Sequence, residues 1–234
     1  MSRRAAITAG VLFLVGTAAG VLSVVGAADG PNYLRDVAAN ETQVIAGALF
    51  QVVTAGAYAG VAIALHPVLR RHGPTAAAGF LGFRIAAGVL NMLGALILLL
   101  LLDLSSRFVG AGAPDAPYFE TVGALLRSGR DGLNHVAMML ALIAGDAMYY
   151  WVLHRTRLVP RWLPAWGFAG LALAIVASLL VMGRVIEVVT PIYLGLMSVL
   201  GLQQLALAIW LIVRGLDDDS HAERIDSPGR PCVA

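Results

Sequence analysis

Six apolar runs constrain this chain more than any other feature, because each reaches the roughly 20 residues that a bilayer's hydrocarbon core asks of a helix. They cover residues 5–26, 42–66, 76–102, 132–154, 164–183 and 191–213. Lipid offers nothing to backbone N–H and C=O groups, so each crossing must pair them internally, as a helix does. Barrel strands would be short and alternating, whereas these runs are continuously apolar. The expected fold is therefore all-α, a polytopic bundle of six transmembrane helices over 1–215. A polar tail, 216–234, contains Pro228 and Pro231 and is expected to be disordered. Composition agrees. Of 234 residues, 59% are hydrophobic and 13% charged, about half the charged share of a soluble domain.

The first run follows Arg3 and Arg4, as a signal peptide would, but it is longer than the usual signal core and is read as a retained helix. Pro164 and Pro191 fall in first turns, where a missing N–H costs nothing. Between the third and fourth runs, 103–131 reads as a long connection broken by Gly110, Gly112, Pro114 and Pro117. A short surface helix is expected within it at 118–127.

Orientation comes from arginine, since the chain has 16 basic residues and no lysine. Arg3, Arg4, Arg70, Arg71, Arg155, Arg157, Arg161 and Arg214 all fall on one side of a six-span arrangement, and the short loops there contain no acid. That bias places both termini in the cytoplasm, in the manner of a bacterial inner-membrane protein. Trp151, Trp162, Trp166 and Trp210 map near the same side as an interfacial belt. The net charge of +2 gives no reason to expect nucleic acid. The lone cysteine, Cys232, excludes a disulfide within the chain.

Charges within a span are rare and face protein or a water-filled cavity. Arg84 in the third run and Asp146 in the fourth both lie about 12–14 Å from the cytoplasmic boundary at 1.5 Å per residue, so they can pair. Asn91 lies two turns from Arg84 on the same face, and His135 three turns from Asp146. Tyr149 and Tyr150 follow Asp146 by three and four residues and neighbour it. Gln51, Gln203 and Gln204 also lie at membrane depth. Together these residues are expected to line one polar cavity open to the cytoplasm and to hold a substrate there. The plainer alternative is that Arg84–Asp146 clamps two helices and the amides bond across them.

Other signals are weaker. The pairs Gly16/Gly20 and Gly56/Gly60 permit close helix approach, more often within a bundle than between copies. A haem could bridge His66 and His154, but interfacial histidines are far commoner, and no cofactor is expected. No metal-ligand spacing, phosphate loop, nucleophile elbow or dinucleotide fingerprint is present.

Four stretches resemble the bacterial DUF4386 family of integral membrane proteins. They are Arg4-Ala-Ala-Ile-Thr-Ala-Gly-Val-Leu-Phe-Leu; Gly47-Ala-Leu-Phe-Gln with His66-Pro-Val-Leu-Arg-Arg and Gly82-Phe-Arg; Met148-Tyr-Tyr-Trp-Val-Leu-His-Arg-Thr-Arg-Leu-Val-Pro-Arg-Trp-Leu; and Leu202-Gln-Gln-Leu-Ala-Leu-Ala-Ile-Trp-Leu-Ile-Val-Arg-Gly. The resemblance spans nearly all of the chain except the tail. It implies a compact multi-span membrane protein of uncharacterised function. It further implies glutamates near positions 51, 87 and 204 in several members, where this chain has Gln51, Ala87 and Gln204. A proton-coupled role is correspondingly less expected here.

Three classes of function fit these observations, in this order. The first is binding or transport of a small anionic or amphipathic molecule, with Arg84 attracting an anionic group. The second is a structural protein that packs against a membrane-protein partner or a second copy of itself. The third is an intramembrane enzyme acting on a lipid-like substrate through Tyr149, Tyr150, His135 and Asp146. A cavity beside Arg84 favours the first, and a dry core there the second.

Overall fold

The computed structural model describes residues 2–110, 116–188 and 190–216. Most of the tail, with Cys232, and Gly112 and Pro114 of the long connection lie outside the described residues. Among the described residues there are eight α-helices: α1 (Ser2–Leu22), α2 (Tyr33–Ala39), α3 (Glu41–His72), α4 (Pro74–Gly110), α5 (Ala116–Asp131), α6 (Met138–Thr156), α7 (Trp162–Met182) and α8 (Pro191–Val213). There is no strand among the described residues. Among the described residues, six helical stretches are long and apolar enough to cross a membrane. The chain is a multi-pass, all-helical membrane protein.

Neighbouring spans touch in a closed ring, α1–α3–α4–α6–α7–α8 and back to α1. Alternating directions put Ser2, Gly73, Arg161 and Arg214 at one end, called here the termini end. The other, the loop end, carries the segment 23–40, α5 and the turn around Arg184. Large side chains such as Leu49, Ile63 and Leu96 point outward and are more than half exposed, which only a hydrocarbon surround makes favourable. Inside the ring at the termini end, Leu65, Leu69, Phe80, Leu153, Leu163, Leu207 and Leu211 form one buried core.

Glycine sets two close approaches. A Cβ on Gly88 would lie 3.1 Å from the Ala55 carbonyl oxygen, and one on Gly170 would lie 2.9 Å from the Leu200 Cα. Backbones this near each other gain dispersion contact, the main attraction between helices in lipid. Of the four glycines singled out from the sequence, Gly16 packs on Ala57 and Gly60 on Leu12, so both serve the α1–α3 contact. Gly20 and Gly56 would meet nothing.

The structure corrects three boundaries. The first helix ends at Leu22 rather than near residue 26, and a 3-10 turn follows at Gly26–Ala28. The second continues through Pro67 to His72, although proline forgoes the bond to the carbonyl four residues back. The third runs on to Gly110, making it about 55 Å long at 1.5 Å per residue, against a hydrocarbon core of ~30 Å. Its projecting end is stabilised by tertiary contact. Leu101, Leu102 and Phe108 pack with Tyr33, Leu34 and Val37 of α2 in a second core, with Phe119 and Leu126 of α5 against it.

The expected short surface helix at 118–127 is longer, at Ala116–Asp131, and does not stop before the fourth span. A π-helical turn, Gly132–Ala137, joins it directly to α6. Such turns widen a helix locally and recur at functional sites.

Candidate functional site

Arg84 and Asp146 meet inside the bundle. Arg84 Nε and Nη2 donate to Asp146 Oδ1 at 2.9 and 2.6 Å, and Nη2 donates to Oδ2 at 2.9 Å. Gln204 Nε2 adds a fourth bond to Oδ2 at 3.2 Å. Arg84 is 1% exposed. Its guanidinium lies 5.2 Å from the Phe13 ring centroid, 5.5 Å from Tyr58 and 5.4 Å from Phe80. Ring faces attract a cation, and the carboxylate balances the charge. Arg84 is therefore already neutralised by protein. The pairing with Asp146 is the one expected from equal depth on adjacent helices.

The other predicted residues divide among separate contacts. Tyr149 stacks on Phe80 at 4.8 Å, with its buried hydroxyl unpaired. Tyr150 donates to Gln203 Oε1 at 2.7 Å, and Gln203 Nε2 donates to the Leu163 carbonyl at 3.1 Å. Both are bonds across helices. His135 Nδ1 lies 2.7 Å from the Tyr193 hydroxyl. Asn91 Nδ2 donates to the backbone carbonyl of Gln51 at 2.9 Å, and the side-chain Oε1 of Gln51 is buried without a partner. His135 and Asp146 thus hold different partners.

Gln51, Asn91 and His135 do share a cavity. It measures about 390 Å³, and Thr54, Tyr58, Arg130, Asp131, Asn134 and Tyr193 also line it. Asp29 and Val188, at the loop end, belong to its lining. The cavity thus lies toward the end of the bundle opposite the arginine-rich short loops. The reason is packing. The termini end of the ring is filled by large aliphatic and aromatic side chains, while the π-helical turn and small α1 residues leave space at the loop end.

Arg130 and Asn134 escaped the sequence reading. Arg130 is 6% exposed, with Nη1 3.5 Å from Asp29 Oδ1 and Nε unpaired. It looked like a loop residue because the helix was expected to begin after it; an uninterrupted α5–α6 helix carries it into the bundle instead. Asn134 sits against Gly94, where a Cβ would come within 2.8 Å of its Nδ2. Tyr58 and Thr54 were legible in principle, since Gln51, Thr54 and Tyr58 follow one another on one helical face. The cavity wall holds one cation, Arg130, beside two anions, Asp29 and Asp131. Its charge therefore does not favour a purely anionic ligand. Met138, Met139 and Met197 supply an adaptable apolar wall.

Among the described residues, no cluster of three or more His, Cys, Asp or Glu side chains is arranged to hold a metal ion. No curated protein and no solved structure is significantly similar to the chain. One family model, the domain of unknown function DUF4386, matches residues 8–215, the helical bundle almost from end to end. The chain belongs to the DUF4386 family.

Proposed function

We propose that this protein binds a small amphipathic molecule in the cavity at its loop end, within the inner membrane of a bacterium. The head of that molecule carries both a hydrogen-bond donor and an acceptor. One observation carries the reading: Gln51 Oε1, an acceptor, and Arg130 Nε, a donor, are both buried, both unpaired, and both belong to residues of the same cavity wall. An unpaired buried polar atom costs roughly 1–3 kcal/mol, and a ligand that draws these two side chains toward the cavity and supplies the missing partners would recover that cost. A volume near 390 Å³ suits a small ligand, at the lower end of the usual range of pockets. The methionine wall would take its apolar part.

Native mass spectrometry of the protein released from lipid nanodiscs tests this. A small molecule should be retained by the unmodified chain and lost from Arg130→Gln, Gln51→Leu and the cavity-filling Gly20→Leu. It should persist in Val185→Ala, which alters an exposed turn residue. If nothing is retained and Gly20→Leu stabilises the fold, the cavity is an empty void and the reading fails.

A further inference from the structure

Two spaces lie one below the other along the bundle, joined at shared walls. The cavity at the loop end shares Thr17, Gly20 and Tyr58 with a smaller chamber of about 150 Å³. Arg84 and Gln204, two of the residues that hold Asp146, line that chamber together with Phe13 and Val61. One face of α3 records the sequence of compartments. Gln51 and Thr54 line the cavity, Tyr58 lines both spaces, and Val61 lines the chamber alone. Leu65, one turn further, is fully buried in the aliphatic core.

We infer that the chamber is water-filled, and that it connects the buried Arg84–Asp146 pair to the loop end of the bundle and to that end only. Four observations support this. The chamber has room for about five waters at a liquid share of ~30 Å³ each. Arg84, Gln204, Thr17 and Tyr58, all with polar side chains, are among the residues of its wall, and buried water needs two to four polar partners. Arg84 commits only Nε and Nη2 to Asp146, so Nη1 stands outside that fork. Toward the termini end, Leu65, Leu69, Leu153 and Leu207 close the ring with no polar atom among their side chains.

Tyr58 is the constriction. Its ring contacts the Arg84 guanidinium on one side and borders the ligand cavity on the other. The inference concerns the same cavity as the proposed function, because water reaches the chamber through it. A ligand seated there would sit between Arg84 and the outside, so occupancy of the cavity would control access to the ion pair.

Silver ion, a small and membrane-impermeant thiol reagent, is the probe. Single cysteines are placed on a Cys232→Ser background, in vesicles of each orientation and in chloride-free buffer. Occupied thiols are those later protected from a maleimide in denaturant. Val185→Cys, on an exposed turn at the loop end, marks the side. The expected result is that Thr54→Cys and Val61→Cys are protected from the same side as Val185→Cys, and that Leu65→Cys is protected from neither. Tyr58→Trp should abolish protection at Val61→Cys and leave Thr54→Cys unchanged. Ala57→Cys, also on the chamber wall, substitutes for Val61→Cys should that variant not fold.

Protection at Thr54→Cys without protection at the chamber cysteine overturns the inference and leaves the ligand cavity standing. Absence of protection at both removes the two together. Protection at Leu65→Cys, or entry from the termini side, overturns the one-sided seal.

Discussion

Replacing Arg84 by methionine is expected to destabilise the bundle severely, and replacing both members of its pair is expected to restore most of the loss. The pair is almost wholly enclosed, at 2% and 1% side-chain exposure for Arg84 and Asp146. Arg84→Met leaves Asp146 with two hydrogen bonds from Arg84 Nη2 and one from Nε removed, and only Gln204 remaining as a donor. Removing one partner of such a pair typically costs about 3–5 kcal/mol, because a desolvated charge is left uncompensated. Replacing both by apolar residues of similar volume is often close to neutral. Arg84→Met with Asp146→Leu should therefore be more stable than either single variant.

A charge swap should do worse than that double replacement. Phe13, Tyr58 and Phe80 surround the arginine position, so a carboxylate placed there would face ring electrons that repel it. Reversible unfolding in mixed micelles, titrated with denaturing detergent, measures all four variants. Near-additive losses in the Met/Leu double, or single losses below about 1 kcal/mol where a desolvated charge should cost several, would refute the claim that Asp146 neutralises a buried Arg84.

Two smaller perturbations follow from the same packing. Gly170→Ala should cost about 1–3 kcal/mol by overpacking, since its new Cβ meets the Leu200 Cα at 2.9 Å and backbone cannot step aside; Gly20→Ala, in open space, should be near neutral in the same titration. Tyr150→Phe removes the donor to Gln203 Oε1 and should cost about 1–3 kcal/mol for the stranded buried acceptor, unless accompanied by Gln203→Leu, a double-variant cycle that isolates the bond.

How much was legible in the sequence follows from the range of the forces involved. The six spans were readable because a bilayer imposes length and apolarity locally, one helix at a time. The meeting of Arg84 with Asp146 was readable for a related reason: equal depth on adjacent, oppositely directed helices leaves a buried charge one nearby partner. The continuation of α4 to Gly110 was not readable, because contacts with α2 and α5 stabilise it rather than its own pattern. Nor was the fusion of α5 with α6, since a π-helical turn has no distinctive composition.

The division between pairings and cavity was likewise decided in three dimensions. Gln203, Gln204, Asn91 and Gln51 are alike as amides at membrane depth, yet two of them bond other side chains while Gln51, a residue of the cavity wall, keeps its buried amide oxygen unpaired. Which end of the ring is filled and which is hollow depends on the summed volumes of residues far apart in the chain, at Leu65, Leu153 and Leu207 against Gly20, Asn134 and Gly201. Solvent chose the helices from local sequence alone. Only mutual packing could place the cavity, because volume left unfilled belongs to no single segment.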